Sequence, residues 1–292
     1  MLLGSLEAGA TKFTCAIGND DYQIKNLISF PTESPEKTLD KAILYFKKFD
    51  IKGLGIASFG PIDIQRTSPT YGYITSTTRL DWRNIPFLAT LQAALAIPIS
   101  WTTNVNGSAY GEYVMSHFAN EKISSLVYVT IDTGVGAGIV YNGKLLGSIS
   151  HPEMGHIQVK RHPLDTEFPG VCPYHFDCLE GLVSMPAVNA RSAKYFTDST
   201  AISVWDIEAY YIAQALIQVT LLIHPGKIVL GGRLMNSSLL DKIRTQFIHL
   251  LNHYDAVPNL DTYITPPFIQ NNDSAIIGNF TLALNKLTNA DN

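Results

Sequence analysis

Residues 151–181 read HPEMGHIQVKRHPLDTEFPGVCPYHFDCLEG and hold the densest run of metal-ligating side chains in the chain. Cys172, His175 and Cys178 follow a Cys-x-x-His-x-x-Cys spacing. His156 lies upstream, and Glu153 stands three residues before it. Two soft thiolates and two imidazoles suit tetrahedral zinc. Four protein ligands would leave no open position for an activated water, so such an ion would be structural. The plainer alternative keeps His156 as an ordinary polar residue and the rest as a surface loop. His151 and His162 read as solvated or hydrogen-bonded histidines rather than ligands. Cys15 is the only other cysteine, so a reducing compartment and a metal fit better than a disulfide framework.

A second chemistry lies in two short turns. Leu6-Glu7-Ala8-Gly9-Ala10-Thr11-Lys12 and Ile131-Asp132-Thr133-Gly134-Val135-Gly136-Ala137 both run strand, acid, small residue, glycine, strand. Glycine lets the backbone approach an anion closely, and the N–H groups of a tight turn can cradle phosphate. Either turn alone is equally a hairpin turn at a sheet edge. Together, each at the front of its own lobe, they favour a nucleotide and suggest two lobes facing one cleft.

The elements that must position these residues can be read from periodicity. A chain of 292 residues exceeds the usual single core, so two lobes are expected. Alternating apolar residues predict strands at 2–6, 13–17 and 22–30. A helix follows at 34–49, with Pro35 in its first turn and Leu39, Ile43 and Phe46 on one face. A strand at 53–58 leads into a Ser/Thr/Pro/Gly-rich loop to residue 83, a helix at 87–96, a strand at 98–103 and a helix at 107–118. The order then repeats: a strand at 126–131, the glycine turn, and a strand at 138–141 ending on the hairpin signal Asn142-Gly143. A long amphipathic helix at 205–224, a strand at 227–230, and helices at 238–254 and 274–286 complete the chain. The expected class is α/β with two mixed sheets. Residues 1–115 with 275–292 form the smaller lobe, and 116–274 form the larger one carrying the loop 151–181.

Composition excludes several classes. Hydrophobic residues make up 46% and charged residues 16%, with a net charge of -4, and no Lys/Arg block offers a footprint for nucleic acid. The N-terminus lacks the basic flank and apolar run of a signal peptide, and the most apolar stretch is broken by Gln218, His224 and Pro225. A soluble, cytoplasmic protein is expected, with neither nucleic-acid nor membrane partners.

The paired turns resemble the sugar-kinase, actin and chaperone-ATPase superfamily, whose two-lobed actin-like fold is ribonuclease H-like. Within it, "EAGATKF", "SFGPIDI", "TYGYITST", "NVNGSAYGE", "HPEMGH", "CPYHFDCLEG" and "VLGGRLM" resemble, in order and over nearly the whole chain, the bacterial fructokinases of the ROK family (repressors, open reading frames, kinases). No helix-turn-helix precedes Glu7, which points away from the repressor branch. The resemblance implies ATP-dependent phosphorylation of a hexose at its 6-hydroxyl, fructose first, with mannose or glucose as alternatives. It also implies Mg²⁺ with ATP, a structural zinc and a homodimer. Nucleotide contacts would fall on Gly9, Ala10, Thr11, Lys12, Asp132, Thr133, Gly134, Gly231 and Gly232, and sugar contacts on Asn104, Glu153 and Glu180. The zinc ligands would be His156, Cys172, His175 and Cys178.

Several positions depart from that pattern. Asn104 stands where the family carries the Asp that accepts the sugar hydroxyl's proton; an amide can position the hydroxyl but has no useful basic lone pair, and losing a general base costs ~10²–10⁴-fold in rate. Ala10, Asp132 and Met185 replace glycines, and Arg233 replaces the third glycine of a turn near adenine. A carboxylate ~4 Å from a phosphate oxygen costs roughly 4 kcal/mol at an effective dielectric near 20. Actin and the chaperone ATPases are similar in carrying Asp at the second turn, where it works through Mg²⁺ and its waters. Arg233 can attract phosphate or stack on a base. Taken together, the departures leave a second expectation beside the kinase: a sugar-binding or regulatory relative in which phosphoryl transfer is lost.

Overall fold

Strand β1 (Leu2–Ala8) sends Leu6 to one side of a sheet and Leu3 to the other, both fully buried, as the period of two requires. The structure is a computed structural model and describes residues 1–147, 150–194, 203–269 and 273–288. Residues 289–292, expected at the end of the first lobe, lie outside the described residues. The chain divides into two units: Met1–Lys122 with Leu145–His151 and Phe268–Asn292, and Ile123–Lys144 with Pro152–Pro267.

After β1 come β2 (Lys12–Asn19), β3 (Ile24–Pro31), α1 (Pro35–Phe46), β4 (Leu54–Ser58), α2 (Phe87–Leu95), β5 (Ile99–Thr103) and α3 (Asn104–Phe118). Next are β6 (Ser125–Ile131), β7 (Val135–Tyr141), β8 (Lys144–Leu145), α4 (Leu179–Val183), α5 (Met185–Lys194), α6 (Val204–Ile223) and β9 (Lys227–Gly231). The chain closes with α7 (Ser237–Leu251), α8 (Leu260–Tyr263), β10 (Ile264–Thr265) and α9 (Ser274–Thr288).

The first unit's sheet runs β3-β2-β1-β4-β5. β1 is antiparallel to β2 and parallel to β4, and β4 is parallel to β5. Leu39 and Phe46 of α1 and Phe87 and Leu91 of α2 join Leu6, Phe13 and Ile56 in a core on one face. That core stacks Phe13 on Trp82 at 5.5 Å and Phe87 on Trp101 at 5.1 Å. On the other face, Ile276 and Phe280 of α9 cover Leu3 and Ala16. α3 lies against α9 almost backbone to backbone, since a Cβ on Gly111 would meet the Ser274 carbonyl at 2.0 Å and one on Gly278 the Gly107 carbonyl at 1.9 Å. The buried Glu112 fixes the entry to α9 by accepting from Phe268 N (2.8 Å), Ile269 N (3.2 Å) and Ser274 Oγ (2.7 Å).

The second unit repeats the plan. Its sheet runs β10-β9-β6-β7-β8, with β6 antiparallel to β7 and parallel to β9. Val127, Val129 and Ile131 pack with Ile207, Tyr211 and Leu216 of α6 and Phe247 of α7. Ser203 and Asp206 form a capping box at the start of α6. Among the described residues α6 is the one helix long and apolar enough to cross a membrane, and 56% of its apolar window is buried in this core.

Two boundaries differ from the periodicity reading in ways that matter for the site. α3 starts at Asn104 rather than 107, because Thr103 Oγ1 caps it by accepting from Asn106 N at 3.3 Å; Gly107 looked like a helix start but lies inside it. β7 starts at Val135 rather than 138, since small residues there hide the alternation. Among the short elements, α4 and α5 follow the Cys/His segment and had no periodic signal of their own.

Candidate functional site

In the first unit, the β1–β2 turn is closed by Gly9 N donating to Lys12 O at 2.9 Å. A Cβ on Gly9 would come 2.6 Å from that same oxygen. The turn is braced from outside: Thr32 Oγ1 donates to Gly9 O at 2.8 Å, Thr32 N to Thr11 O at 3.0 Å, and Arg79 Nη1 to Ala10 O at 2.6 Å. Ala10, Thr11 and Lys12 are exposed, as a surface that meets a ligand must be. Phe13 follows at once and anchors the turn in the aromatic core.

Glu7, at the end of β1, was visible in the sequence only as the acid before the turn. Burial pushes its carboxyl up to about 7, with Lys12 pulling down and Asp273 pushing up. Arg79 gave no sequence signal, because it sits in a loop of Ser and Thr with no period. Asn104, half-buried, opens α3, and its Oδ1 accepts from Val105 N at 2.8 Å. The amide is thereby held at the helix N-terminus by its own backbone.

In the second unit, Asp132 N donates to Gly134 O at 2.9 Å and Asp132 Oδ1 accepts from Thr133 N at 2.7 Å. Arg233 Nε donates to both Asp132 oxygens, at 2.9 and 2.8 Å, and Nη2 donates to Oδ1 at 2.5 Å. The turn after β9 lies directly on this one. Gly232 has φ +101°, and a Cβ there would come within 2.2 Å of Ile131 O, so no side chain fits. Met185 N donates to Asp132 O at 2.8 Å, which uses the backbone of that position and leaves its side chain free to vary.

Glu180 reaches the same turn. Its Oε2 accepts from Val135 N at 2.9 Å and lies 2.8 Å from where a Cβ of Gly134 would be. Gly155 packs on the other group of Val135, with room for no Cβ 2.2 Å from Val135 O. Glu180 therefore holds the Val135 N–H by a hydrogen bond, while Gly155, near the other end of the Cys/His segment, packs closely on the Val135 carbonyl.

Between those ends, His156, Cys172, His175 and Cys178 converge with ligand atoms all within 4.8 Å of one another. His156 Nδ1 lies 3.8 Å from Cys172 Sγ and 3.6 Å from Cys178 Sγ, and His175 Nδ1 lies 3.9 Å from Cys172 Sγ. A tetrahedral ion with bonds of ~2.3 Å to sulfur and ~2.05 Å to nitrogen has S···N edges of ~3.6 Å, so the donor set fits zinc. A tight backbone exchange, Cys172 N to Phe176 O at 3.1 Å and Phe176 N to Cys172 O at 3.0 Å, sets the spacing. Burial pushes the Cys178 thiol up to about 11, a proton that a bound metal must displace. Glu153 is exposed; its carbonyl accepts from His156 N at 3.0 Å.

The ROK family profile matches residues 3–286. The chain is 46% identical over 290 residues to the fructokinase of Streptococcus mutans serotype c, covering 97% of each chain. It is 44% identical over 291 residues to the fructokinase of Lactococcus lactis subsp. cremoris, covering 98% of each. Its fold is similar to that of the ROK hexokinase from Thermus thermophilus, with TM-score 0.78 at 20% identity, covering 99% of this chain and 100% of that one.

Proposed function

Because the chain belongs to the ROK family, we propose that it is a fructokinase, transferring the γ-phosphoryl group of ATP to the 6-hydroxyl of D-fructose to give fructose 6-phosphate and ADP. The observation that carries this reading is the 46% identity to a fructokinase through 97% of both chains.

On this reading the turns at Gly9–Lys12 and Asp132–Gly134, with Gly231 and Gly232, bring their backbone close to the nucleotide, the N–H groups of Gly9, Asp132 and Thr133 being spent on closing the turns. Asn104, Glu153 and Glu180 hydrogen-bond sugar hydroxyls. The attacking oxygen forms a bond to the γ-phosphorus as the bond to the β,γ-bridging oxygen breaks, and ADP leaves. Asn104 orients the hydroxyl, whose proton passes to a phosphate oxygen or water. A loose transition state asks for positioning and charge neutralisation more than for a strong base. Mg²⁺ carried with ATP supplies part of that neutralisation. A structural zinc on His156, Cys172, His175 and Cys178 holds Glu180 against the second turn, and a reducing cytoplasm keeps both thiols available. The resemblance also supports a homodimer, which sedimentation would reveal.

The test is a coupled assay of ADP formation with fructose, glucose and mannose, on the wild-type protein and on Asn104→Asp. Turnover with fructose in preference to the other sugars is expected, and Asn104→Asp should raise kcat by up to ~10²-fold. If neither protein forms ADP and ATP gives no thermal shift, the chain is a sugar-binding relative and the kinase reading is wrong.

A further inference from the structure

Two carboxylates meet the backbone of the second glycine turn. Glu180 Oε2 accepts from Val135 N at 2.9 Å, and Asp132 Oδ1 accepts from Thr133 N at 2.7 Å. Arg233 answers them with one positive charge. Its Nε donates to both Asp132 oxygens, at 2.9 and 2.8 Å, and its Nη2 donates to Oδ1 at 2.5 Å. Asp132 Oδ1 therefore takes three N–H donors, and Oδ2 takes one.

Coordination chemistry decides what this leaves for a metal ion. Mg²⁺ that accompanies a nucleotide keeps several waters and is tied to protein through carboxylates with open oxygens. Asp132 does not present such an oxygen. Its Oδ1 is surrounded by donors, and an ion or its water at Oδ2 would stand beside the guanidinium, a like charge. The carboxylate does not fit as a magnesium anchor while Arg233 is in place. Arg233 can itself do the electrostatic part of that work, because a guanidinium keeps its charge at every working pH. Its side chain is 60% exposed, against 30% for Asp132, so it is open to a phosphate arriving from solvent.

We propose that Arg233 determines the metal dependence of nucleotide binding: it supplies at the second turn the positive charge that Asp132 would otherwise draw from Mg²⁺. The inference rests on the kinase reading, which brings phosphates to this turn. It goes further in that Mg²⁺ rides with the nucleotide and takes no ligand from Asp132.

Calorimetric titration of the full chain with the non-hydrolysable ATP analogue AMPPNP, in Mg²⁺ and again in EDTA, tests it without turnover. The quantity read is the ratio of the two dissociation constants. Arg233→Gly is expected to bind about tenfold more weakly than wild type in Mg²⁺ and about a hundredfold more weakly in EDTA, because only the metal is left to screen Asp132. Its ratio therefore rises about tenfold. Asp132→Gly/Arg233→Gly should return to the wild-type ratio, since it lacks both the carboxylate and its counter-ion. Arg233→Lys keeps the charge and should hold the ratio near that of wild type. An Arg233→Gly ratio equal to wild type, or a double variant whose ratio stays raised, overturns the proposal and leaves the kinase reading standing. If no form of the protein binds AMPPNP in either buffer, the kinase reading falls and this inference falls with it.

Discussion

Asp132 and Arg233 face each other as a bidentate ion pair, with Arg233 Nε donating to both carboxylate oxygens at 2.9 and 2.8 Å. Each residue stands where the ROK resemblance leads one to expect glycine. Read separately in the sequence, they look like two injuries to a phosphate site; in the fold they are one neutral unit. The negative charge that Asp132 brings to the second turn is answered on the spot. Arg233 remains exposed, so its guanidinium can turn from carboxylate to phosphate at little cost.

Arg233→Gly should therefore raise the KM for ATP about tenfold, because it leaves the Asp132 carboxylate uncompensated near phosphate, and should leave the KM for fructose unchanged. Asp132→Gly/Arg233→Gly should recover most of that loss. Since the pair is exposed, the single-variant defect should shrink as salt rises. A double variant as poor as the single one would mean that Arg233 acts directly on nucleotide rather than through Asp132.

Elemental analysis is expected to find one zinc per chain, and its removal should do more than destabilise. On the proposed zinc reading, removing the ion would take away the cross-link of the loop between Gly155 and Glu180 and loosen Glu180 from Val135 N. Structural zinc binding is worth ~10 kcal/mol in small peptides, so Cys178→Ser should lower Tm by at least about 10 °C and raise the KM for fructose. His175→Ala should be milder, since His175 is exposed while Cys172 and Cys178 are buried. A chelator that extracts zinc without moving Tm would refute the structural role.

Much of this was legible in the sequence because it rests on local rules. Cys-x-x-His-x-x-Cys fixes three donors by spacing alone, and the strand-acid-glycine-strand turns are short and repeated, as are β1-β2-β4 and β6-β7-β9 in the two sheets. What stayed hidden are contacts made across long separations. Nothing in the one-dimensional pattern links Arg233 to Asp132, Arg79 to Ala10 O, or Glu180 to Val135 N. α3 was placed three residues late because its stop-and-start signal is a Thr103 cap, weaker to the eye than Gly107, whose role is close packing.

Arg191 offers a prediction about stability. It is fully buried, with Nε and Nη2 on Asp165 at 3.1 and 3.2 Å, Nη1 on Glu208 at 2.5 Å, and Tyr211 donating to Asp165 at 2.8 Å. One cation serves two carboxylates, and burial pushes Glu208 up to about 8, so the cluster is near neutral when Glu208 holds a proton. Arg191→Ala should cost about 3–5 kcal/mol in urea unfolding, because it strands buried carboxylate charge. Glu208→Gln should cost far less, since it fixes the neutral form. Equal losses from the two variants would show that packing, not charge, holds this cluster.

Glu7 makes stability depend on pH. Its carboxyl titrates at about 7 in the fold against 4.5 for the free side chain, chiefly through burial. Between those values the native state holds a proton that the unfolded chain has lost, so stability is full below the lower value and falls as pH rises through the upper one. The loss amounts to at most about 3 kcal/mol, less what partial exposure of Glu7 allows solvent to screen. Glu7→Gln keeps the shape and removes the titration, so it should match the wild type near pH 4.5 and exceed its Tm at pH 8. Lys12→Met removes the charge that now pulls the Glu7 carboxyl down, and should steepen the wild-type fall. A Tm difference between Glu7→Gln and wild type that stays constant from pH 5 to 8 would rule Glu7 out as the titrating group beneath the first turn.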